Sequence, residues 1–261
     1  MALYLIGIGL NDEQDISLKG LEAVRKCDSV YLENYTSLLQ CPVERLEKLY
    51  GKKIILADRE LVEKKAEETI LKGAKDKDVA LLIIGDVFSA TTHTDIFLRA
   101  KKLDIPVNVI HNASVLTAVG ETGLELYKFG KTTSIPFKEK GFEPETYYDV
   151  LLENQHLGLH TLFLLDLRPA EKKFMTIKEA IQNLLDIEDK RKEKILTEKT
   201  LCVGCARLGN KNQKIIYGSA EELMKLDFGK APHCLIVPGK LHFMEEEILK
   251  RVWGFKGAVH L

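Results

Sequence analysis

The segment Gly85-Asp86-Val87-Phe88-Ser89-Ala90-Thr91-Thr92-His93 follows a nearly continuous apolar run, Val79-Ala80-Leu81-Leu82-Ile83-Ile84. An acid directly after such a run stands at the end of a buried strand, where a cationic ligand can be held. The other reading of Asp86 is a helix N-cap. His93 has no second histidine or cysteine at metal-ligand spacing, so it reads as a packed or hydrogen-bonded side chain. Gly7-Ile8-Gly9-Leu10-Asn11-Asp12 also follows an apolar run. Its glycines let backbone approach a ligand closely, but Asp12 stands where a dinucleotide fingerprint needs its third glycine. That argues against a nicotinamide cofactor and leaves a plain strand-to-loop turn as the alternative.

Cys202-Val203-Gly204-Cys205 has the C-x-x-C form, without a second such pair or a histidine pair. In a strand, residues three apart point to opposite faces, so two buried apolar cysteines are expected rather than a zinc or redox site. Ser114 lacks the G-x-S-x-G setting of a hydrolase nucleophile. His233, between Pro232 and an apolar strand, reads on its own as a loop residue.

These residues need elements to position them. In the first half, apolar runs at 2–8, 28–32, 53–56, 79–84 and 107–110 read as strands. Helical patterns at 17–27, 59–75 and 94–103 alternate with them. Ser17 is the expected N-cap of the first helix, with Leu18, Leu21, Ala23 and Val24 as its apolar stripe. Strand–helix alternation predicts right-handed crossovers and an open parallel sheet, whose ligands sit beyond the carboxyl ends of the strands. Loops 7–11, 85–92 and 111–115 all fall at such ends. In the second half, strands are expected at 161–165, 200–205, 214–217 and 234–237, with helices at 145–154 and 177–187. This reads as a second α/β domain with a mixed sheet. The boundary lies around 112–127, where glycines and small residues cluster, and is drawn to give domains 1–111 and 112–261. Residues 188–199, rich in both charge signs, are expected to be a solvated helix end and loop.

Hydrophobic residues make up 45% and charged residues 30% of the 261, the balance of a folded protein. The formal charge is −1, which gives no support to nucleic-acid binding. No apolar run is long enough to span a membrane, and the N-terminus lacks the basic region of a signal peptide. Five cysteines, an odd number, form no disulfide framework. The expectation is a cytoplasmic protein.

Several segments, in this order, resemble the diphthine synthases of the tetrapyrrole methylase superfamily. They are Leu3-Tyr4-Leu5-Ile6-Gly7-Ile8-Gly9-Leu10, Asp15-Ile16-Ser17-Leu18-Lys19-Gly20-Leu21, Tyr35-Thr36-Ser37, Gly85-Asp86 and Ala90-Thr91-Thr92-His93. Val119-Gly120-Glu121-Thr122-Gly123-Leu124, Tyr127-Lys128-Phe129-Gly130-Lys131 and Asp227-Phe228-Gly229 follow. Pro232-His233-Cys234-Leu235-Ile236-Val237-Pro238-Gly239-Lys240-Leu241-His242 completes the set.

The resemblance spans essentially the whole chain. It implies two α/β domains with the active site in the cleft between them, S-adenosyl-L-methionine as cofactor, and a homodimer. Carried over residue by residue, the cofactor contacts are Leu10, Asp86, Ser89, Ser114, Val115, Leu165, Leu208 and His233. Val87 stands where the family commonly has proline. Ser89 and Leu208 also differ from the residues often found there, so Ser89 is expected to act through its backbone. The implied reaction methylates the amino nitrogen of a modified histidine side chain on translation elongation factor 2 to give diphthine, with a further methyl ester in eukaryotic relatives. No residue is identified as a base. The competing readings are a methylase of corrin or porphyrin precursors, favoured less by the 127–131 and 232–242 segments, and a non-catalytic binder of the elongation factor.

Overall fold

The computed structural model describes residues 1–255; positions 256–261, the end of the expected second domain, lie outside the described residues. The chain divides into two compact units, Met1–Ala118 and Val119–Leu261. The division falls inside the expected boundary region 112–127, and Asn112 at its start is tied into the first unit. Its side-chain amide donates to the carbonyls of Gly7 and Asp15, each at 3.0 Å.

The first unit is built on five parallel strands. β1 (Ala2–Gly7), β2 (Ser29–Glu33), β3 (Ile54–Ala57), β4 (Asp78–Ile83) and β5 (Val107–Ile110) lie in the order β3-β2-β4-β1-β5. Alternate residues of the central strands face opposite ways. Ile6, Val30, Leu32, Ala80 and Leu82 form one core with α1 (Leu18–Lys26) and α2 (Val43–Tyr50). Leu3, Leu5, Val79, Leu81 and Ile83 form the other with α3 (Ile70–Asp76) and α4 (Thr94–Lys102). Burial on both faces is why β1 and β4 read as unbroken apolar runs. Each wholly buried leucine or isoleucine here contributes roughly 1.5–3 kcal/mol. Ser17 caps α1, its hydroxyl accepting the Gly20 N–H at 3.1 Å, as expected. A short α5 (Val115–Ala118) ends the unit.

The expected helix over 59–75 is interrupted. A π-helical turn at Glu60–Lys64 precedes α3, and Thr69 leaves the helical region at φ −122°, ψ −87°. The reason lies in the spacing. Val62 and Leu71 fall about 180° apart on a regular helix, at about 100° per residue. Both are buried, together with Ala66 and Ile70, so the break turns the two ends of the pattern toward one core.

In the second unit the strands are β6 (Thr133–Ile135), β7 (Thr161–Leu165), β10 (Leu201–Ala206), β11 (Lys214–Ser219) and β12 (His233–Val237), in the order β11-β10-β12-β7-β6. β6 and β7 run parallel and the remaining pairs antiparallel, giving the expected mixed sheet. β8 (Leu167–Arg168) and β9 (Lys173–Phe174) form a separate short ladder. One sheet face packs Phe163, Leu165, Cys202, Leu235 and Val237 against α6 (Thr146–His156), α7 (Ile177–Arg191) and α8 (Ala220–Met224). α9 (Phe243–Val252) closes the described chain.

Residues 188–199 are the expected helix end and loop, most of them exposed, but the segment is anchored by an acid that its charge pattern does not reveal. Glu188 is buried. It accepts the Tyr148 hydroxyl at 2.6 Å and the N–H groups of Lys194, Ile195 and Leu196. Burial pushes its carboxyl up, but these donors outweigh burial and hold it below the usual glutamate range.

Candidate functional site

β1 and β4 are neighbours, yet the chain leaves them toward opposite faces of the sheet. After β1 it enters α1 on one face, and after β4 it enters α4 on the other. The carboxyl ends of these two strands are therefore the switch point at which open α/β sheets hold ligands. There Gly9 and Gly85 face each other in an isolated bridge, Gly85 N–H donating to Gly9 O at 2.7 Å and Gly9 N–H to Gly85 O at 3.2 Å. Both lie in the left-handed region, at φ +82° and +88°. A Cβ on Gly9 would also stand 2.5 Å from the Asp15 Cβ. The Asp15 carboxylate accepts the N–H groups of Leu10 (3.1 Å) and Asn11 (2.8 Å) and so shapes the loop after β1.

Asp86 is 7% exposed and fully engaged. Its Oδ1 accepts the Phe88 N–H at 3.2 Å and the Ser89 hydroxyl at 3.1 Å. Its Oδ2 meets His111 Nδ1 at 2.9 Å and accepts the Asn112 N–H at 3.1 Å. Burial works to raise its pKa, but the Asn112 N–H, His111, the Phe88 N–H and Ser89 together hold it below the usual aspartate range. The helix N-cap reading of Asp86 is thus corrected. α4 starts only at Thr94, after His93, and Asp86 instead ties its own loop to the loop after β5.

The other first-unit candidates gather at this edge. Leu10 follows the Gly9 bridge, and Ser89 touches Asp86 through its side-chain hydroxyl. Ser114 is buried; its hydroxyl accepts the Leu116 N–H at 3.2 Å and its carbonyl the N–H groups of Thr117 and Ala118, opening α5 at Val115. Asp15, His111 and Asn112 take part in this arrangement without having been singled out by spacing. His111 and Asn112 both lie in the 111–115 loop expected at this edge.

In the second unit, register places three candidates at one end of the sheet. His233 opens β12 opposite Ala206, two residues before Leu208, and Leu165 ends β7 one step beyond the Cys234–Leu164 pair. His233 is buried, and its Nε2 lies 3.1 Å from the carbonyls of both Gly229 and Lys230. Carbonyls only accept, so Nε2 carries the proton and Nδ1 presents a lone pair. No protein group meets that buried Nδ1. Burial pushes the imidazole below its ordinary range, against the two carbonyls, so the ring stays neutral. Cys202 and Cys205 are both buried on opposite faces; Cys202 joins the core, while Cys205 lies opposite Cys234.

The same unit contains a buried carboxylate, Glu245, at the start of α9. It accepts hydrogen bonds from the N–H groups of His242 (2.7 Å) and Glu125 (2.9 Å), pairs with Lys128, and accepts the His160 Nε2–H at 2.9 Å. His160 Nδ1 in turn accepts the Gly239 N–H at 2.9 Å. This cluster joins the 127–131 and 232–242 segments, which accounts structurally for two of the segments that carry the resemblance.

The family model for tetrapyrrole (corrin/porphyrin) methylases matches residues 2–224. Among similar curated proteins, diphthine methyl ester synthase of Dictyostelium discoideum is 47% identical, the match covering 95% of this chain and 96% of that protein. The Homo sapiens diphthine methyl ester synthase is also 47% identical, over 95% and 93%. Of solved structures, one of diphthine synthase superposes with a TM-score of 0.88 at 38% identity, covering 97% of this chain and 96% of the other. One from Entamoeba histolytica, assigned to diphthine synthase, gives a TM-score of 0.90 at 44% identity over 98% and 99%. With the model matched over most of its length and these relatives over nearly all of it, the chain belongs to the tetrapyrrole methylase family.

Proposed function

We propose that this protein is the S-adenosyl-L-methionine-dependent methyltransferase of diphthamide biosynthesis, acting on the modified histidine of translation elongation factor 2. The observation that carries the reading is the agreement between the likeness to diphthine methyl ester synthases and the ordered edge around Asp86. The cofactor contacts are Leu10, Asp86, Ser89, Ser114 and Val115 from the first unit and Leu165, Leu208 and His233 from the second. Two features of these residues fit that cofactor. Asp86 is held ionised and favours a cationic centre. The buried Nδ1 of His233 is an acceptor awaiting a donor such as an amino or hydroxyl group.

S-adenosyl-L-methionine, when bound, supplies a methyl group on a positively charged sulfur. The protein's task is to hold an acceptor atom in line with that carbon, about 3–3.5 Å away. The latch from Asp86 to His111 and Asn112 joins two loops of the edge. An amine acceptor sheds its proton before attack, and no residue is assigned as its base. The likeness to enzymes named for a methyl ester product supports methylation of a carboxylate as well as the amine. A cytoplasmic homodimer is the proposed working form, supported by the resemblance. Among the described residues no helix is long and apolar enough to cross a membrane.

The experiment is mass spectrometry of the elongation factor after incubation with this protein and cofactor. The expected product carries N-methyl groups plus one methyl that mild alkali removes as methanol. A product with N-methyl groups alone would confine the enzyme to diphthine. Methylation of a porphyrin or corrin precursor in place of the factor would overturn the proposal.

A further inference from the structure

A cavity of about 270 Å³ opens in the first unit between the π-helical turn after β3 and the first turns of α4. Both elements follow the carboxyl ends of their strands, so the cavity is on the same sheet edge as Asp86. Val62 and Ile96 line it with apolar surface, His93 and Arg99 contribute its buried polar groups, and Glu63 and Thr92 stand at its exposed rim.

The buried groups are unfinished. His93 is 1% exposed, and neither ring nitrogen meets a protein partner. Burial pushes its imidazole down to about 4, so at neutral pH it offers one donor and one acceptor. Arg99 Nη2 is occupied by the Val62 carbonyl (2.9 Å) and Asp95 (2.8 Å), but its buried Nε–H has no partner. Buried polar atoms are rarely left unpaired, so a histidine with both nitrogens unmet by protein faces a partner in the cavity, ordered water or ligand. The loop joining Asp86 to His93 is itself bent unusually, Ala90 standing at φ +60° despite its Cβ.

The charge pattern selects the ligand. Asp95 neutralises Arg99, leaving donors from Arg99 and His93 inside and the Glu63 carboxylate at the rim, 3.7 Å from Arg59 and 3.4 Å from the Thr92 hydroxyl. Arg59 faces Glu63 and Asp95 pairs with Arg99, so cations and acids balance around the cavity and a dianion such as phosphate is disfavoured. A carboxylate with an ammonium beside it matches both ends: the carboxylate to Arg99 and His93, the ammonium to Glu63. We propose that this cavity binds the zwitterionic head of an α-amino acid, held by His93, Arg99 and Glu63.

The proposal deepens the methyltransferase reading and rests on it. In that reaction the group has two sources. The methyl donor ends in a methionine head. The acceptor carries an amine that is N-methylated and a carboxyl that becomes an ester, and so has the same chemistry.

The test uses the full-length protein and the variants His93→Phe and Glu63→Gln. Calorimetry compares S-adenosylhomocysteine with 5′-methylthioadenosine, which lacks the amino-acid head, and initial rates give KM for the modified elongation factor. If the donor's head is bound, both variants weaken S-adenosylhomocysteine by about ten- to a hundredfold and leave methylthioadenosine unchanged. If the acceptor's head is bound, both nucleoside affinities stay constant and KM for the factor rises by a similar ratio. Either result supports the proposal. Unchanged affinities and unchanged KM in well-folded variants would overturn it and leave a cavity holding water only. Should His93→Phe fail to fold, Glu63→Gln and His93→Gln decide by the same readouts. Failure of the wild-type protein to methylate the factor would defeat the functional reading, while the nucleoside comparison would still report on the cavity.

Discussion

Asp86 does two things with one carboxylate: it braces loops and it supplies negative charge. Replacing it with asparagine keeps the size and removes the charge, whereas alanine removes both. Asp86→Asn is therefore expected to weaken S-adenosylhomocysteine binding by about one to two decades, since charged hydrogen bonds are worth about 1.5–3 kcal/mol. Asp86→Ala should add a clear loss of melting temperature, because His111 and the Asn112 N–H lose their acceptor. Calorimetric titration beside a thermal melt of each variant checks both. A depressed carboxylate stabilises the fold above its ordinary pKa, and that contribution is lost as pH falls through its folded value. The Asp86 contribution should accordingly be constant at neutral pH and fade only below about pH 4. The sequence placed Asp86 correctly after a buried strand. It did not disclose His111 and Asn112 as its partners, because they are brought there by a strand on the far side of β1.

At the level of elements, the close approach of the loops after β1 and β4 depends on Gly9. Gly9→Ala meets both an unfavourable φ of +82° and the Asp15 Cβ at 2.5 Å. We expect a destabilisation of about 2–4 kcal/mol, measured by denaturant unfolding. In the second unit Glu245 performs a similar service for the start of α9. Burial would raise its pKa, but the His242 N–H, Lys128, the Glu125 N–H and His160 hold it down to about 2. The sign is again that of a depressed acid: stabilising above the ordinary glutamate range and lost as pH falls toward 2. Glu245→Gln should melt well below wild type at neutral pH, and the gap should narrow between about pH 5 and the acid limit. A gap independent of pH would show that packing rather than charge is involved. Strands β1, β4, β7 and β12 were legible because burial on both faces writes itself as apolar runs. α2 buries only Leu46 and Tyr50, β6 spans Thr133–Ile135, and α9 buries Glu245 and Leu249, so none of them leaves a strong pattern. The π-turn was hidden for a different reason: its apolar positions imitate a regular helix up to Leu71.

For the molecule as a whole, the sheet orders explain why candidate residues so far apart in the chain fall into two groups. Parallel order β3-β2-β4-β1-β5 gathers Leu10, Asp86, Ser89, Ser114 and Val115 at one edge. The mixed sheet gathers Leu165, Leu208 and His233 at one end. Those groupings followed from strand–helix alternation in the first unit but not in the second, where strand order depends on pairings that local pattern does not encode. A cofactor that engages both groups should respond to each. His233→Ala, like Asp86→Asn, is expected to weaken S-adenosylhomocysteine, by roughly 1–3 kcal/mol if the lone pair of Nδ1 accepts a buried hydrogen bond. The central claim is the reaction itself. Its most direct test offers purified protein and methyl-labelled S-adenosyl-L-methionine to three acceptors: elongation factor 2 bearing the unmethylated intermediate, the same factor with an unmodified histidine, and a porphyrin precursor. The account predicts label in the first alone, abolished or strongly slowed by Asp86→Asn. Label in the porphyrin precursor, or in the unmodified factor at an equal rate, would contradict it.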